Sequence, residues 1–403
     1  MNRKVEAVQY YLRPVLWPAS LLWLAAVKLR ARAYQKGLLR QRRLDGVVIS
    51  VGNLTVGGTG KTPLALWLVG RLAREGKAAG VLTRGYAGFA RGGHREKSGM
   101  VMRADDTNKS EAVRLPDERM PDEVRLLMRR LRGRRAEAGN LAQQAAWFCI
   151  GADRHSMGKQ LEQQGVGWFV LDDGFQHLPL RRDADIVLID AENPFGNGYL
   201  LPAGRLREPV SALGRADVVV ITRSEGTPSI EDVIRRHTAA HVFYGRTKLD
   251  AIRRWTADGF AKDAAFSAAE YSSQRFFAFC GIGNAQAFFA DARRWGLAVC
   301  GEMAFRDHHH YWAPDWARLE KQARSAGATA LLCTEKDVCN FGGDFIRGNK
   351  HGGDTQSGRA AVRVDLPVYY AQISMDLPRG DEFWRVVMGT AERNHRASGS
   401  GAR

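Results

Sequence analysis

Residues 51–68, VGNLTVGGTGKTPLALWL, limit the possible folds of this chain more than any other stretch. A short apolar run at 46–52 leads into a glycine-rich turn, and an apolar helical pattern begins at Thr62. This order, with Gly60-Lys61-Thr62 closing the turn, is typical of a phosphate-binding loop. Backbone N–H groups of such a loop surround phosphates, the lysine reaches the β and γ phosphates, and the threonine hydroxyl binds Mg²⁺. The stretch therefore predicts a nucleoside triphosphate site.

The loop departs from the usual pattern at one position. Thr55 stands where the first glycine is expected, and two later glycines supply the backbone freedom instead. Pro63 agrees with a helix that begins at Thr62, because proline is tolerated in the first helical turn. We expect the nucleotide phosphates to contact Thr55, Val56, Gly57, Gly58, Thr59, Gly60, Lys61 and Thr62.

Apolar runs recur after the loop, with helical patterns between them. Their nearly continuous Val, Ile and Leu content favours strands that are buried on both faces, as in a parallel sheet. The candidate strands are 46–52, 78–85, 167–173, 184–190 and 216–222, followed by a second series at 276–282, 327–337 and 368–374.

These elements predict an α/β fold in which a P-loop NTPase-like parallel sheet has helices on both faces. We place this nucleotide-binding domain at 41–240, a smaller α/β domain at 241–390, and a disordered tail at 391–403. Residues 88–115 are rich in Gly, Asp, Lys, Arg and Ser, so we expect a loop there.

An acidic pair closes one of the predicted strands. The segment WFVLDDGFQH, residues 168–177, ends its apolar run at Asp172 and Asp173. Carboxylates that follow a buried strand near a phosphate-binding loop are suited to holding Mg²⁺. The pair therefore predicts metal binding by at least one of the two aspartates.

The N-terminal region is apolar and basic. Val15 to Val27, VLWPASLLWLAAV, is shorter than the roughly 20 residues that span a bilayer. Basic residues flank it on both sides, and its two tryptophans suit the headgroup boundary of a membrane. We interpret residues 1–40 as an amphipathic helix at an anionic membrane surface. An ordinary core helix with a basic outer face is the alternative.

The net charge of +17 indicates an anionic partner, which could be nucleic acid, a membrane surface or a phosphorylated ligand. No recognition-helix, RNP or zinc signature supports nucleic acid. A regulatory ATPase would carry a lysine at position 56, where Val56 stands, and the TEKD segment at 334–337 misses the spacing of a GTPase motif. A small-molecule kinase remains, together with an ATPase that has no acceptor.

Six motifs together resemble the tetraacyldisaccharide 4'-kinase family, also called lipid A 4'-kinase. They are ISVGNLTVGGTGKTP (49–63), LTRGYAG (82–88), LDDGFQH (171–177), LPAGRLREP (201–209), FRDHHHY (305–311) and TEKD (334–337). The resemblance implies a kinase that uses ATP and Mg²⁺ to phosphorylate the 4'-hydroxyl of the lipid A disaccharide 1-phosphate. It also implies a location at the cytoplasmic face of the bacterial inner membrane. We expect a monomer that binds this lipid and an anionic membrane, and that binds no nucleic acid.

The resemblance also assigns roles at matching positions. Lys61 and Thr62 contact the ATP phosphates and Mg²⁺, with Asp172 and Asp173 at the metal. The best register for the family's Asp-Glu segment makes Asp122 the catalytic aspartate and places Glu123 at the metal, although Asp117-Glu118 offers a second register.

Two further assignments follow from the same motifs. His308 is the expected partner of the catalytic aspartate, beside the alternatives His309 and His310. Arg207 is expected to neutralise phosphate charge, and Glu208 to support the metal or the base.

Overall fold

The structure is a computed structural model that describes residues 12–84, 100–103, 122, 124–130, 147–224, 228–255, 265–266, 271–341 and 364–399, and most of its strand pairs are parallel. Its strands are β1 (Val47–Asn53), β2 (Ala79–Thr83), β3 (Met100–Arg103), β4 (Trp147–Ile150), β5 (Trp168–Asp172), β6 (Ala184–Asp190), β7 (Val218–Thr222), β8 (His241–Arg254), β9 (Ala265–Phe266), β10 (Phe276–Cys280), β11 (Val299–Ala304), β12 (Ala330–Thr334) and β13 (Val368–Asp376).

Helices precede, connect and follow these strands. They are α1 (Arg13–Gln35), α2 (Lys61–Arg74), α3 (124–130), α4 (Arg154–Glu162), α5 (Pro228–Arg235), α6 (Ala285–Arg294), α7 (Ala313–Ser325), α8 (Glu335–Val338) and α9 (Gly380–Gly399), with a 3₁₀ helix at Val210–Arg215. Among the described helices, none combines the length and the apolar content that crossing a membrane requires.

The described residues divide into two units. The first contains 12–247 and 375–399, and the second contains 248–374. This division differs from the predicted one, because residues 375–390 return to the first unit rather than completing the second domain.

The sheet of the first unit has the order β8-β7-β6-β1-β5-β2-β4-β3. Its neighbouring strands are parallel except for β3, which runs antiparallel to β4. In β1, Ile49 packs in the same cluster as α2 and α9, whereas Val48 packs with α4. Because alternate side chains of a strand point to opposite faces, helices cover both faces, as predicted.

The second unit is a smaller parallel sheet. Strand β10 lies between β11 and β12, and β13 pairs with β12. Phe276 packs in the cluster that contains α6, and Phe277 packs in the cluster that contains α7. The predicted second α/β unit is therefore present, with a helix on each face.

Two predictions of irregular structure, for the end of the chain and for residues 88–115, are wrong. Residues 391–399 are helical rather than disordered, since α9 runs to Gly399. The side chain of Asn394 donates to the backbone oxygen of Asp183 (2.9 Å), and His395 lies 3.3 Å from the Asp183 carboxylate. These contacts to a distant segment hold the end of α9. Strand β3 also falls inside the predicted loop at 88–115, most of which lies outside the described residues.

Gly52 is a position where the fold leaves no room for a side chain. A Cβ atom there would lie 2.5 Å from Cβ and 2.8 Å from the backbone N of Phe175. We expect Gly52→Ala to lower the free energy of unfolding by about 1–3 kcal/mol, the usual cost of overpacking. Urea denaturation would measure this. Gly167→Ala is the matched control, because no described atom lies within 4 Å of its added Cβ. Equal stabilities of the two variants would contradict the prediction.

Candidate active site

The phosphate-binding loop connects β1 to α2. Gly60 adopts a left-handed conformation (φ +89°) immediately before Lys61, the first residue of α2. Gly57 also has a positive φ of +132°. Glycine takes such conformations without steric cost, so these positions give the loop its curvature at the N-terminus of α2. A helix N-terminus favours bound anions, because its first N–H groups have no partner within the helix.

A second segment, residues 199–208, pairs with this loop. The backbone N–H of Arg207 donates to Leu54 O (2.8 Å), and that of Val56 donates to Arg205 O (2.9 Å). The guanidinium of Arg205 returns two hydrogen bonds to Val56 O (3.2 and 2.8 Å). The LPAGRLREP motif is thereby joined to the phosphate-binding loop, a contact that its sequence position did not predict.

Three of the predicted residues come together beside the loop. Nη1 of Arg207 lies 2.9 and 2.7 Å from the two carboxylate oxygens of Asp173, and Nζ of Lys61 lies 3.7 Å from Oδ1 of the same aspartate. Burial alone would raise the pKa of Asp173, but Lys61 and Arg207 outweigh burial and hold that pKa below its ordinary value. Asp173 also adopts a positive φ of +49°, which is uncommon for a residue other than glycine.

Asp172 is buried at the end of β5, in register with Val51 of β1. Burial, and then the charge of Asp173, raise the pKa of Asp172. Its Oδ1 atom is buried without a hydrogen-bond partner among the described residues. A buried carboxylate oxygen without a partner is costly in the absence of a cation, so this oxygen fits a metal ligand. Mg²⁺ typically uses one or two carboxylates together with substrate phosphates.

The remaining predicted residues of the first unit are Glu208, Asp122 and Glu123. Glu208 is buried, and its carboxylate is 2.8 Å from Nη2 of Arg215. Asp122 is buried and helical, two residues before α3. Glu123 lies outside the described residues, as does the alternative pair Asp117-Glu118.

Arg154 is a candidate that our sequence reasoning missed. It is the first residue of α4 and is almost fully buried, and its Nη1 has no hydrogen-bond partner among the described residues. Burial lowers its pKa, whereas the charges of Asp172 and Asp173 oppose that shift. A buried cation near two metal-binding candidates can attract phosphate oxygens. The sequence indicates this role only weakly, because a single arginine after Gly151-Ala152-Asp153 has no characteristic spacing to another motif.

His308 lies in the second unit, in the loop after β11. It adopts a positive φ of +58°, its backbone N–H donates to Gly281 O (3.0 Å), and its Nε2 is 3.8 Å from the Asp307 carboxylate. The neighbouring His309 is engaged differently. Its Nε2 lies 3.0 Å from the Asp315 carboxylate, and its ring stacks on Phe305 at 4.6 Å. These contacts give His309 a structural role.

Asp337 of the TEKD motif supports the same loop. Its Oδ1 accepts hydrogen bonds from Gly281 N and from the hydroxyl of Tyr311, both at 2.7 Å. Its Oδ2 accepts one from the hydroxyl of Thr334 (2.6 Å). One buried carboxylate thus joins the end of β10, the end of the His308 loop and the start of α8.

Comparisons with known proteins agree with this architecture. Residues 12–377 match the family model described as tetraacyldisaccharide-1-P 4'-kinase. The tetraacyldisaccharide 4'-kinase of Geobacter metallireducens is 38% identical over 326 residues, which cover 80% of this chain and 87% of the relative. That of Pelobacter propionicus is 37% identical over 331 residues, covering 80% and 81%. LpxK of Aquifex aeolicus, solved in complex with ATP, is 24% identical and superposes with a TM-score of 0.63, covering 95% of this chain and 99% of that one, so the two share a fold.

A glycine-rich loop between a buried parallel strand and a helix, facing a strand that ends in two aspartates, defines a P-loop nucleotide-binding enzyme. The family match over nearly the whole chain narrows this class. The chain belongs to the tetraacyldisaccharide 4'-kinase family. It is a kinase that phosphorylates a hydroxyl group in lipid A biosynthesis, and the prediction from the six motifs is confirmed.

Proposed function

We propose that this kinase transfers the γ-phosphoryl group of Mg²⁺-bound ATP to the 4'-hydroxyl of tetraacyldisaccharide 1-phosphate. During this reaction, α1 is bound to the anionic cytoplasmic face of the inner membrane. The observation that carries this proposal is an exposed apolar stripe on α1. Val15, Leu22 and Leu29 are 73%, 74% and 71% exposed. Because they are seven residues apart, they lie along one side of the helix.

The opposite face of α1 packs on the protein. Leu16, Ser20 and Leu24 are partly or fully buried at intervals of four residues. Several basic side chains near the C-terminal part of the helix are exposed, namely Lys28, Arg30, Arg32 and Lys36. A helix with an exposed apolar stripe and exposed basic side chains near its C-terminal end suits the interface of an anionic membrane.

The chemistry of the acceptor gives a reason for this location. Each buried CH₂ group of an acyl chain contributes about 0.8 kcal/mol to membrane binding. A tetraacylated sugar therefore stays in the bilayer, and the enzyme has to reach it there.

The residues of the first unit divide into three roles in this proposal. The loop from Thr55 to Thr62 and the ammonium of Lys61 bind the ATP phosphates. Asp172, Asp173 and the Thr62 hydroxyl hold Mg²⁺, which neutralises charge on the β and γ phosphates when bound. Arg207 holds Asp173 and adds positive charge beside the phosphates.

A base completes the proposal. A sugar hydroxyl is a poor nucleophile at neutral pH, and a positioned base contributes about 10²–10⁴-fold. We assign proton acceptance to Asp122. The role of His308 stays a prediction from the family motif. Glu208 acts through its ion pair with Arg215, which keeps the segment that carries Arg207 in place.

Partition into vesicles tests the membrane part of the proposal. We expect the triple variant Val15→Ser, Leu22→Ser and Leu29→Ser to bind vesicles that contain phosphatidylglycerol at least about tenfold more weakly. A factor of ten corresponds to about 1.4 kcal/mol, and complete burial of one apolar side chain already contributes about 1.5–3 kcal/mol. Trp312→Ser is the control, since it removes an exposed apolar side chain outside α1. Vesicle binding that is unchanged in the triple variant would disprove the assignment.

A further inference from the structure

Two residues of α1, Ser20 and Trp23, make hydrogen bonds to residues 199–208, the segment that pairs with the phosphate-binding loop. The hydroxyl of Ser20 is 3.0 Å from Ala203 N, from which it accepts a hydrogen bond. The same hydroxyl lies 3.0 Å from Leu200 O and 3.2 Å from Leu16 O, either of which can accept its proton. Ser20 therefore ties α1 to this segment at two backbone positions.

Trp23 makes the second contact. Its indole Nε1 donates a hydrogen bond to the backbone oxygen of Arg207 (2.9 Å). The residue is nevertheless 43% exposed and adjoins Leu22 of the apolar stripe. One partly exposed side chain of the proposed membrane helix thus contacts the backbone of the predicted active-site arginine.

The contacts continue from Arg207 into the candidate active site. The guanidinium of Arg207 binds Asp173, whose Oδ1 lies 3.7 Å from Nζ of Lys61. The backbone N–H of Arg207 donates to the backbone oxygen of Leu54, which lies directly before the phosphate-binding loop. Residues 199–208 contain no helix or regular strand of their own. Their position therefore depends on such contacts with α1 and the loop.

We infer that Ser20 and Trp23 are positioning residues, through which the membrane-docking helix holds Arg207 in its place at the active site. This inference rests on the proposed function, in which α1 lies at the membrane and Arg207 assists phosphoryl transfer. A helix that served only as an anchor would need apolar and basic side chains. It would not need a buried hydroxyl and an indole N–H directed at the backbone of residues 200–207.

The test compares Trp23→Phe with Trp17→Phe in the full-length chain. Both changes keep an aromatic ring and remove an indole N–H from α1, and Trp17, which is 50% exposed, makes no hydrogen bond within the described residues. Any loss of membrane affinity that follows from removing an indole is thus shared by the two variants. Vesicle partition, kcat and KM for the lipid acceptor in mixed micelles, and thermal midpoint are measured for both.

We expect similar vesicle partition for the two variants, and a kcat for Trp23→Phe about three- to tenfold below that of Trp17→Phe, the range that one hydrogen bond can contribute. Ser20→Ala should lower kcat in the same direction without changing vesicle partition. In an Arg207→Ala background, Trp23→Phe should cause no further loss, because the residue that it positions is absent.

Three results would overturn the inference. Equal kcat values for the two tryptophan variants would make Trp23 an anchor only. A loss of kcat that persists undiminished in the Arg207→Ala background would mean that Trp23 acts elsewhere. A lowered thermal midpoint in step with kcat would indicate a purely structural role. Failure of the proposed function is distinguishable, because the wild-type chain itself would then not bind vesicles or Arg207→Ala would retain full activity.

Discussion

Lys61→Ala should reduce the transfer of radiolabelled γ-phosphate from ATP to the lipid A disaccharide 1-phosphate by about 10²–10³-fold or more. Groups that stabilise developing charge in a transition state typically contribute this much. Lys61 is the first residue of α2, directly after the left-handed Gly60, and its Nζ is 3.7 Å from Asp173. No other lysine of the loop can replace it, since the stretch 51–68 contains only this one.

Lys77→Ala is the matched control for this experiment. Lys77 lies just beyond the opposite end of α2 and pairs with Glu75 at 2.6 Å. Exposed ion pairs contribute only about 0–1 kcal/mol, so the control should fold and transfer phosphate normally. Transfer by Lys61→Ala at the wild-type rate would exclude the assigned phosphate site. ATP hydrolysis by the wild type without labelled lipid would instead support the regulatory ATPase.

Asp122→Asn should lower kcat for the same transfer by about 10²–10⁴-fold, the usual contribution of a positioned base. Asparagine keeps the shape of the side chain and cannot accept the proton of the sugar hydroxyl. Since Asp122 is buried, this isosteric change is preferable to alanine, which would also remove packing. Thermal midpoints of the variant and the wild type should be measured alongside activity.

Asp117→Asn separates the two possible registers of the Asp-Glu segment. The two residues lie five positions apart in the sequence LPDERMPDEV, so each variant removes one carboxylate from the same stretch. We expect Asp117→Asn to retain activity. If it loses transfer while Asp122→Asn retains it, the function stands and the base is Asp117.

Much of the fold could be predicted from local pattern. All eight predicted strands overlap observed strands, because their apolar runs are long enough to be buried on both faces. Five strands were missed: β3, β4, β8, β9 and β11. Strands β3 and β4 have only four residues each. Strand β11 was missed because most of its side chains are partly exposed and its sequence, VCGEMA, has no continuous apolar run.

The end of the chain shows where local pattern fails. Beyond residue 390 the sequence is polar and rich in small residues, which is typical of a disordered tail. It is helical to Gly399 because Phe383 and Val387 anchor α9 in the core of the first unit, and because Asn394 and His395 contact Asp183. Those partners are more than 200 positions away, so no window of neighbouring residues could reveal them.

The amino-acid sequence by itself determined the phosphate-binding loop, the acidic end of β5 and the family. These features depend on residues that are adjacent or regularly spaced, where backbone freedom and side-chain chemistry act locally. Only the tertiary structure decided that Arg207 and Lys61 share Asp173, that Arg205 binds the loop, and that Trp23 contacts Arg207. Such contacts join residues up to 184 positions apart. They exist because folding brings strand ends and a docked helix together, and a linear pattern carries no information about those distances.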